Sequence, residues 1–119
     1  MRTGTRARRR SAPNRLSAVF GALADPTRRA MLERLRAREL TVTELAKPFK
    51  SSQPTISKHL KVLERAGLVV RGRDAQFRPR ALRAAPLKDA NHYLELFRAQ
   101  WDDSLDRLEA YVARLQQKS

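Results

Sequence analysis

A mainly α-helical domain with one small β-hairpin is what this sequence predicts, and three observations carry the prediction. Apolar residues recur at helical spacing in four stretches before residue 67 and again from residue 86 onward. Helix start and stop residues stand at the edges of those stretches. A short β-branched run, Leu68-Val69-Val70, then follows Gly67. A chain of 119 residues makes one domain with tails and buries an ordinary core without metal or disulfide staples.

Residues 1–15 hold six Arg and no acid, and residues 2–14 contain no apolar side chain larger than Ala. Such a stretch cannot bury enough surface to offset the entropy of ordering it, so it reads as a disordered basic arm ahead of a domain over 16–85. Leu16, Val19, Phe20 and Leu23 form the apolar face of a first helix. Ala24-Asp25-Pro26 closes it and offers Asp25 as N-cap and Pro26 as first residue of a second helix, to about residue 37. That helix would bury Met31, Leu32 and Leu35 and leave Arg28, Arg29, Arg34 and Arg36 outside. Thr41 and Glu44 have capping-box spacing and open a third helix with Leu45, Ala46 and Phe49 inward, which Pro48 should keep short or bent.

Ser51-Ser52 supplies the next N-cap, and Ile56, Leu60 and Leu63 give the fourth helix one apolar face, ending at Ala66-Gly67. Leu68 to Val70 and Phe77 to Leu82 read as a hairpin around a polar turn, with Pro79 tolerable only on an edge. From Pro86, Leu87, Ala90, Leu94, Phe97, Trp101, Leu105, Leu108, Val112 and Leu115 follow one another at steps of three and four. The spacing predicts one unbroken helix over 86–119, about 40 Å long at 1.5 Å per residue, whose stripe is too long for so small a domain to cover.

Charge points to the partner. Lys and Arg number 26 against 12 Asp and Glu, a net +14, which is the footprint of a polyanion binder. Residues 41–85 carry +7 of this and the arm +6, whereas residues 86–119 carry −1. Two short helices joined by a Ser-rich turn, the second apolar on one side and basic on the other, make a helix-turn-helix, and the hairpin behind it makes a wing. The N-terminal end of the fourth helix would enter the major groove of double-stranded DNA. Ser52, Gln53, Thr55, Ser57, Lys58, His59 and Lys61 are the candidate contacts there, with Gln53, Thr55, Ser57 and Lys58 as readers of base edges or phosphates. On the hairpin Arg71, Arg73, Arg78 and Arg80 suit phosphate or a narrow minor groove.

Three stretches carry a family resemblance: Ala22-Leu23-Ala24-Asp25-Pro26-Thr27-Arg28-Arg29, Thr43-Glu44-Leu45-Ala46, and Ser57-Lys58-His59-Leu60-Lys61-Val62-Leu63-Glu64-Arg65-Ala66-Gly67-Leu68-Val69. In order and spacing they resemble the signature of ArsR-type winged-helix transcriptional regulators, over roughly residues 16–83. The resemblance implies a cytoplasmic, nucleoid-associated homodimeric repressor of a bacterium or archaeon that reads an operator with helix 53–66. It also implies a dimer built by the first and last helices, here through Leu16, Phe20, Leu94, Phe97, Trp101, Leu105 and Leu108.

The sequence departs from the family's metal sensors. It has no Cys, and Asp89 and His92 lie three apart near the start of the last helix with no second His after them, whereas tetrahedral zinc needs four ligands. No metal or cofactor is expected, which leaves an unidentified small-molecule effector open. His59 suits a structural or phosphate-facing hydrogen bond. With two separated His and no Gly-rich phosphate loop among four Gly, no enzyme is expected. The absence of an apolar run of 18 or more residues, and of an apolar segment behind the arginines, argues against a membrane span or signal peptide. Two other readings stand beside the repressor: an architectural nucleic-acid binder without sequence preference, and a winged helix that docks a protein partner.

Overall fold

A computed structural model describes residues 12–72 and 78–118. Among the described residues, six helices and a two-stranded hairpin follow in the order α1 (Ala12–Leu23), α2 (Pro26–Ala37), α3 (Val42–Ala46), α4 (Gln53–Arg65), β1 (Val69–Arg71), β2 (Arg80–Leu82), α5 (Ala85–Glu95) and α6 (Arg98–Lys118). The first helix starts at Ala12, inside the stretch expected to belong to the arm. Pro13 is no obstacle there, because the first turn of a helix has no intrahelical use for its N–H. The rest of the arm lies outside the described residues.

Local chemistry sets each boundary. The Asp25 carboxylate accepts the Arg28 N–H at 3.0 Å and Pro26 opens α2. Thr41 and Glu44 close a reciprocal capping box on α3, the Glu44 N–H reaching Thr41 Oγ1 at 3.2 Å and the Thr41 N–H reaching Glu44 Oε1 at 2.9 Å. Helix α3 stops at Ala46, two residues before Pro48, which is how it stays short. Ser52 caps α4 through the Thr55 N–H. Gly67, at φ 79°, ends α4 in a Schellman motif: Leu68 N–H donates to Leu63 O and Gly67 N–H to Glu64 O, both at 3.0 Å.

The core is continuous across these elements. Met31, Leu35, Leu40, Leu45, Ile56, Leu60, Leu63, Leu68 and Val69 are buried in it with Val19 and Ala22 of α1 and Ala90 of α5. Each large side chain among them contributes about 1.5–3 kcal/mol by leaving water. Strands β1 and β2 pair antiparallel with Val69 opposite Leu82 and Arg71 opposite Arg80. Leu40 adds a bridge to the other side of Arg80, so Pro79 sits just outside the paired residues. Gly72 N–H donates to Pro79 O, and a Cβ on Gly72 would stand 2.9 Å from Pro79 Cγ, so only glycine fits at the base of the wing.

The last segment is not one helix. After Glu95 the hydrogen bonds tighten to a spacing of three, Leu96 N–H to Tyr93 O and Phe97 N–H to Leu94 O, and α6 begins at Arg98. The break stands where the rings of Phe20, Tyr93 and Phe97 stack edge to face, at 5.9 and 5.3 Å between centroids, and hold the end of α5 against α1. Beyond it no residue of α6 is buried, and the molecule reaches 68 Å in its longest dimension.

Two caps carry a pH consequence. The N–H donors of Arg28 and Thr41 hold the Asp25 and Glu44 carboxyls below their ordinary values of 3.8 and 4.5. Groups depressed in the folded state stabilise it above their unfolded values, and that stabilisation is lost as pH falls through the folded ones. Thermal melts from pH 6 down to pH 2 should therefore show the midpoint falling below about pH 4.5, with Asp25→Asn and Glu44→Gln each flattening the fall. A pH profile identical in wild type and both variants would refute the assignment.

Candidate nucleic-acid interface

Helix α4 presents two opposite faces because its sequence alternates them at 3.6-residue spacing. Ile56, Leu60 and Leu63 are buried to 2% exposure or less, while Ser52, Gln53, Thr55, Lys58, Lys61 and Arg65 are exposed. The N-terminal turn, with the free N–H groups and partial positive charge of a helix start, is thus bordered by amide, hydroxyl and ammonium groups. Ser52 Oγ and Thr55 Oγ1 lie 3.0 Å apart, so these two hydroxyls act as a pair. Ser57 is half-buried on the flank.

His59 faces into the protein. Its Nδ1 is 3.1 Å from Nη1 of Arg28 and 4.0 Å from the Asp25 carboxylate. Of its two expected roles, the geometry supports the structural hydrogen bond.

The wing divides its arginines. Arg80, expected to reach phosphate, is buried: its Nε donates to Glu64 Oε2 at 2.9 Å and its guanidinium also bonds Arg78 O. The burial of Arg80 has a simple cause. Arg80 lies between β1 and Leu40, and the half-buried Glu64 on α4 supplies the charge it needs once water is removed. Arg71 shares the same carboxylate oxygen at 3.3 Å but stays half exposed. Arg78 is exposed, with φ at 42°, and Arg73 lies outside the described residues.

Three arginines that the sequence placed on an outer face hold the ends of neighbouring helices instead. Arg28 Nε and Nη2 donate to Ala22 O and Gly21 O, at 2.8 and 3.1 Å, and Arg29 Nη1 to Leu23 O at 2.7 Å. Arg34 Nη1 donates to Glu44 O and Leu45 O at 2.8 and 3.1 Å, at the end of α3. Orphan carbonyls and guanidinium forks suit each other, but nothing local in the sequence reports which carbonyl comes within reach.

On α5, the turn after it and α6, Leu94, Phe97, Trp101, Leu105 and Leu108 are 40–56% exposed, and Val112 and Leu115 continue their spacing of three and four residues. Leu16 and Phe20 are half-buried against the core, Phe20 under Tyr93. Asp89 and His92 are both exposed on α5. Among the described residues, no three His, Asp or Glu stand close enough to hold a metal ion, and no helix is long and apolar enough to cross a membrane.

Comparison with known proteins agrees with this geometry. A family model described as a helix-turn-helix domain matches residues 23–72, from the end of α1 into the wing. The transcriptional repressor SdpR of Bacillus subtilis is 34% identical over 87 residues, which are 73% of this chain and 97% of that protein. The crystal structure of an ArsR family transcriptional regulator is similar with a TM-score of 0.70 at 38% identity, over 76% of this chain and 93% of that one. A homodimeric winged helix-turn-helix DNA-binding domain from Mycobacterium bovis has a TM-score of 0.55 at 25% identity, over 78% and 83% of the two chains.

Proposed function

Because the chain belongs to the ArsR family of winged helix-turn-helix transcriptional regulators, we propose that it is a metal-independent dimeric repressor that reads a palindromic operator with the N-terminal turn of α4. The observation that carries this is the division of α4 into a fully buried apolar face and an exposed turn holding Ser52, Gln53, Thr55, Lys58 and Lys61. Gln53 and Thr55 read base edges, Ser57 supports them from the flank, and Lys58 and Lys61 meet phosphates. Arg71 and Arg78, with Arg73 between them in sequence, bring the wing to the adjacent backbone or minor groove. The dimer forms through the exposed stripe of α5 and α6 with Leu16 and Phe20 at its edge, in keeping with the homodimeric relative. Repression agrees with the role named for SdpR. Metal independence agrees with the absence of Cys and with the exposed, isolated Asp89 and His92. The protein acts in the cytoplasm, on the nucleoid, and an unidentified small molecule, a partner protein or no effector at all are each compatible with this reading.

The test is selectivity. Gln53→Ala and Thr55→Ala should each relax preference at one or two operator positions, a change of about 1–3 kcal/mol there, while binding to random duplexes stays nearly unchanged. Selection from a random duplex pool with wild type and both variants reads this directly. Uniform weakening on every sequence would make these residues helix positioners, and no preference in the wild type would favour the architectural binder.

A further inference from the structure

Arg28 stands where three helices meet, and the proposed DNA-facing surface does not use it. Its Nε and Nη2 hold the last turn of α1 through Ala22 O and Gly21 O at 2.8 and 3.1 Å. Its Nη1 lies 3.1 Å from His59 Nδ1 on α4, and its own N–H is fixed by Asp25 at the start of α2. A guanidinium only donates, so in this contact Nδ1 of His59 is the accepting atom. One planar side chain thus ties the end of α1 to the middle of the helix proposed to read DNA. Helix α1 is also bound to the foot of α6 by the stack of Phe20, Tyr93 and Phe97.

We propose that Arg28 is a positioning residue that transmits the geometry of the dimer helices to α4 and thereby sets the half-site spacing at which the dimer binds. This rests on the dimeric, operator-reading function argued above. The apolar contacts of α1 with α4 resist separation but have little directional preference, whereas a guanidinium fork with three fixed acceptors resists rotation. Spacing is an angular property: each base pair added between half-sites moves one of them along the duplex and turns it about the axis, since a full turn takes 10–10.5 base pairs. A joint that stops α4 from rotating against α1 gives the dimer one preferred spacing. Without it the two recognition helices adapt to several.

The test uses the full chain and duplexes enriched by the wild type from a random pool, with the centre then lengthened by two base pairs. Wild type should lose at least tenfold in affinity on the lengthened duplex. Arg28→Lys keeps the charge but replaces the fork by a point charge. It should bind an isolated half-site as wild type does, lose severalfold on the original operator, and show a lengthening penalty below threefold. His59→Ala, which removes only the far end of the joint, should shrink the penalty in the same way, and the double variant should go no further than either single one. Circular dichroism and sedimentation confirm folded dimers, and His59→Ala carries the test should Arg28→Lys not fold. An unchanged penalty in both variants, or equal losses on half-site and full operator, would overturn the proposal while leaving the operator-reading dimer intact. A wild type indifferent to spacing would overturn both.

Discussion

Raising salt from 50 to 200 mM should weaken DNA binding by about 10³–10⁵-fold, because a protein that neutralises some 6–10 phosphates releases the counterions condensed on them. The expectation rests on where the charge sits. The segment from the capping box to the end of the wing carries +7, and its Lys58, Lys61 and Arg65 stand exposed on the face of α4 opposite the core. On a log–log plot the slope should be about −5 to −9, and Lys58→Ala or Lys61→Ala should each flatten it by about 1. Arg80→Lys is a useful contrast: the side chain is buried against Glu64, so any change it causes should leave the slope alone. Titration of a labelled duplex at four salt concentrations reads all of this. A slope near zero would remove the electrostatic basis of the assignment.

Trp101→Ala should raise the dimer dissociation constant by about thirtyfold or more, since truncating a large aromatic at the centre of an interface costs about 2 kcal/mol and 1.4 kcal/mol is a factor of ten. The ring is 43% exposed near the start of α6, between Phe97 and Leu105 in the uncovered stripe. Operator affinity should fall with it, because two half-sites are engaged together only by a dimer. Sedimentation of wild type and variant over a concentration series gives the constants, and circular dichroism should show the same helix content in both. A variant as dimeric as the wild type would place the interface elsewhere, and a wild type monomeric at high micromolar concentration would end the dimeric reading.

The features legible in the sequence are those whose physics closes within a few residues. Asp25 with Pro26, Thr41 with Glu44, Ser52 ahead of Gln53-Pro54, and Gly67 each satisfy backbone groups in their own turn, so spacing alone announces them. The buried faces of α2 and α4 were equally legible, because 3.6-residue periodicity survives any arrangement of the helices. The burial of Arg80 is not legible in the sequence because it depends on Glu64, sixteen residues away, and on the bridge to Leu40. Arg28, Arg29 and Arg34 look like a solvated face until the carbonyl ends of α1 and α3 arrive beside them. The turn at Leu96 and Phe97 left no mark at all. It contains neither Gly nor Pro, and the apolar steps run through it unchanged. The exposed turn of α4 could be drawn from the pattern, whereas the inward orientation of His59 required the position of α2.

That turn makes α6 a lever. A helix of 21 residues is about 30 Å long at 1.5 Å per residue, so a tilt of about 10° at its foot sweeps the far end through about 5 Å, roughly one helical turn. The side chains between Trp101 and Leu115 would all be carried along with none of their own chemistry altered. In a pair of copies joined through this stripe, as proposed above, the direction in which α6 leaves the turn sets the span between them separately from the strength of the contacts that join them.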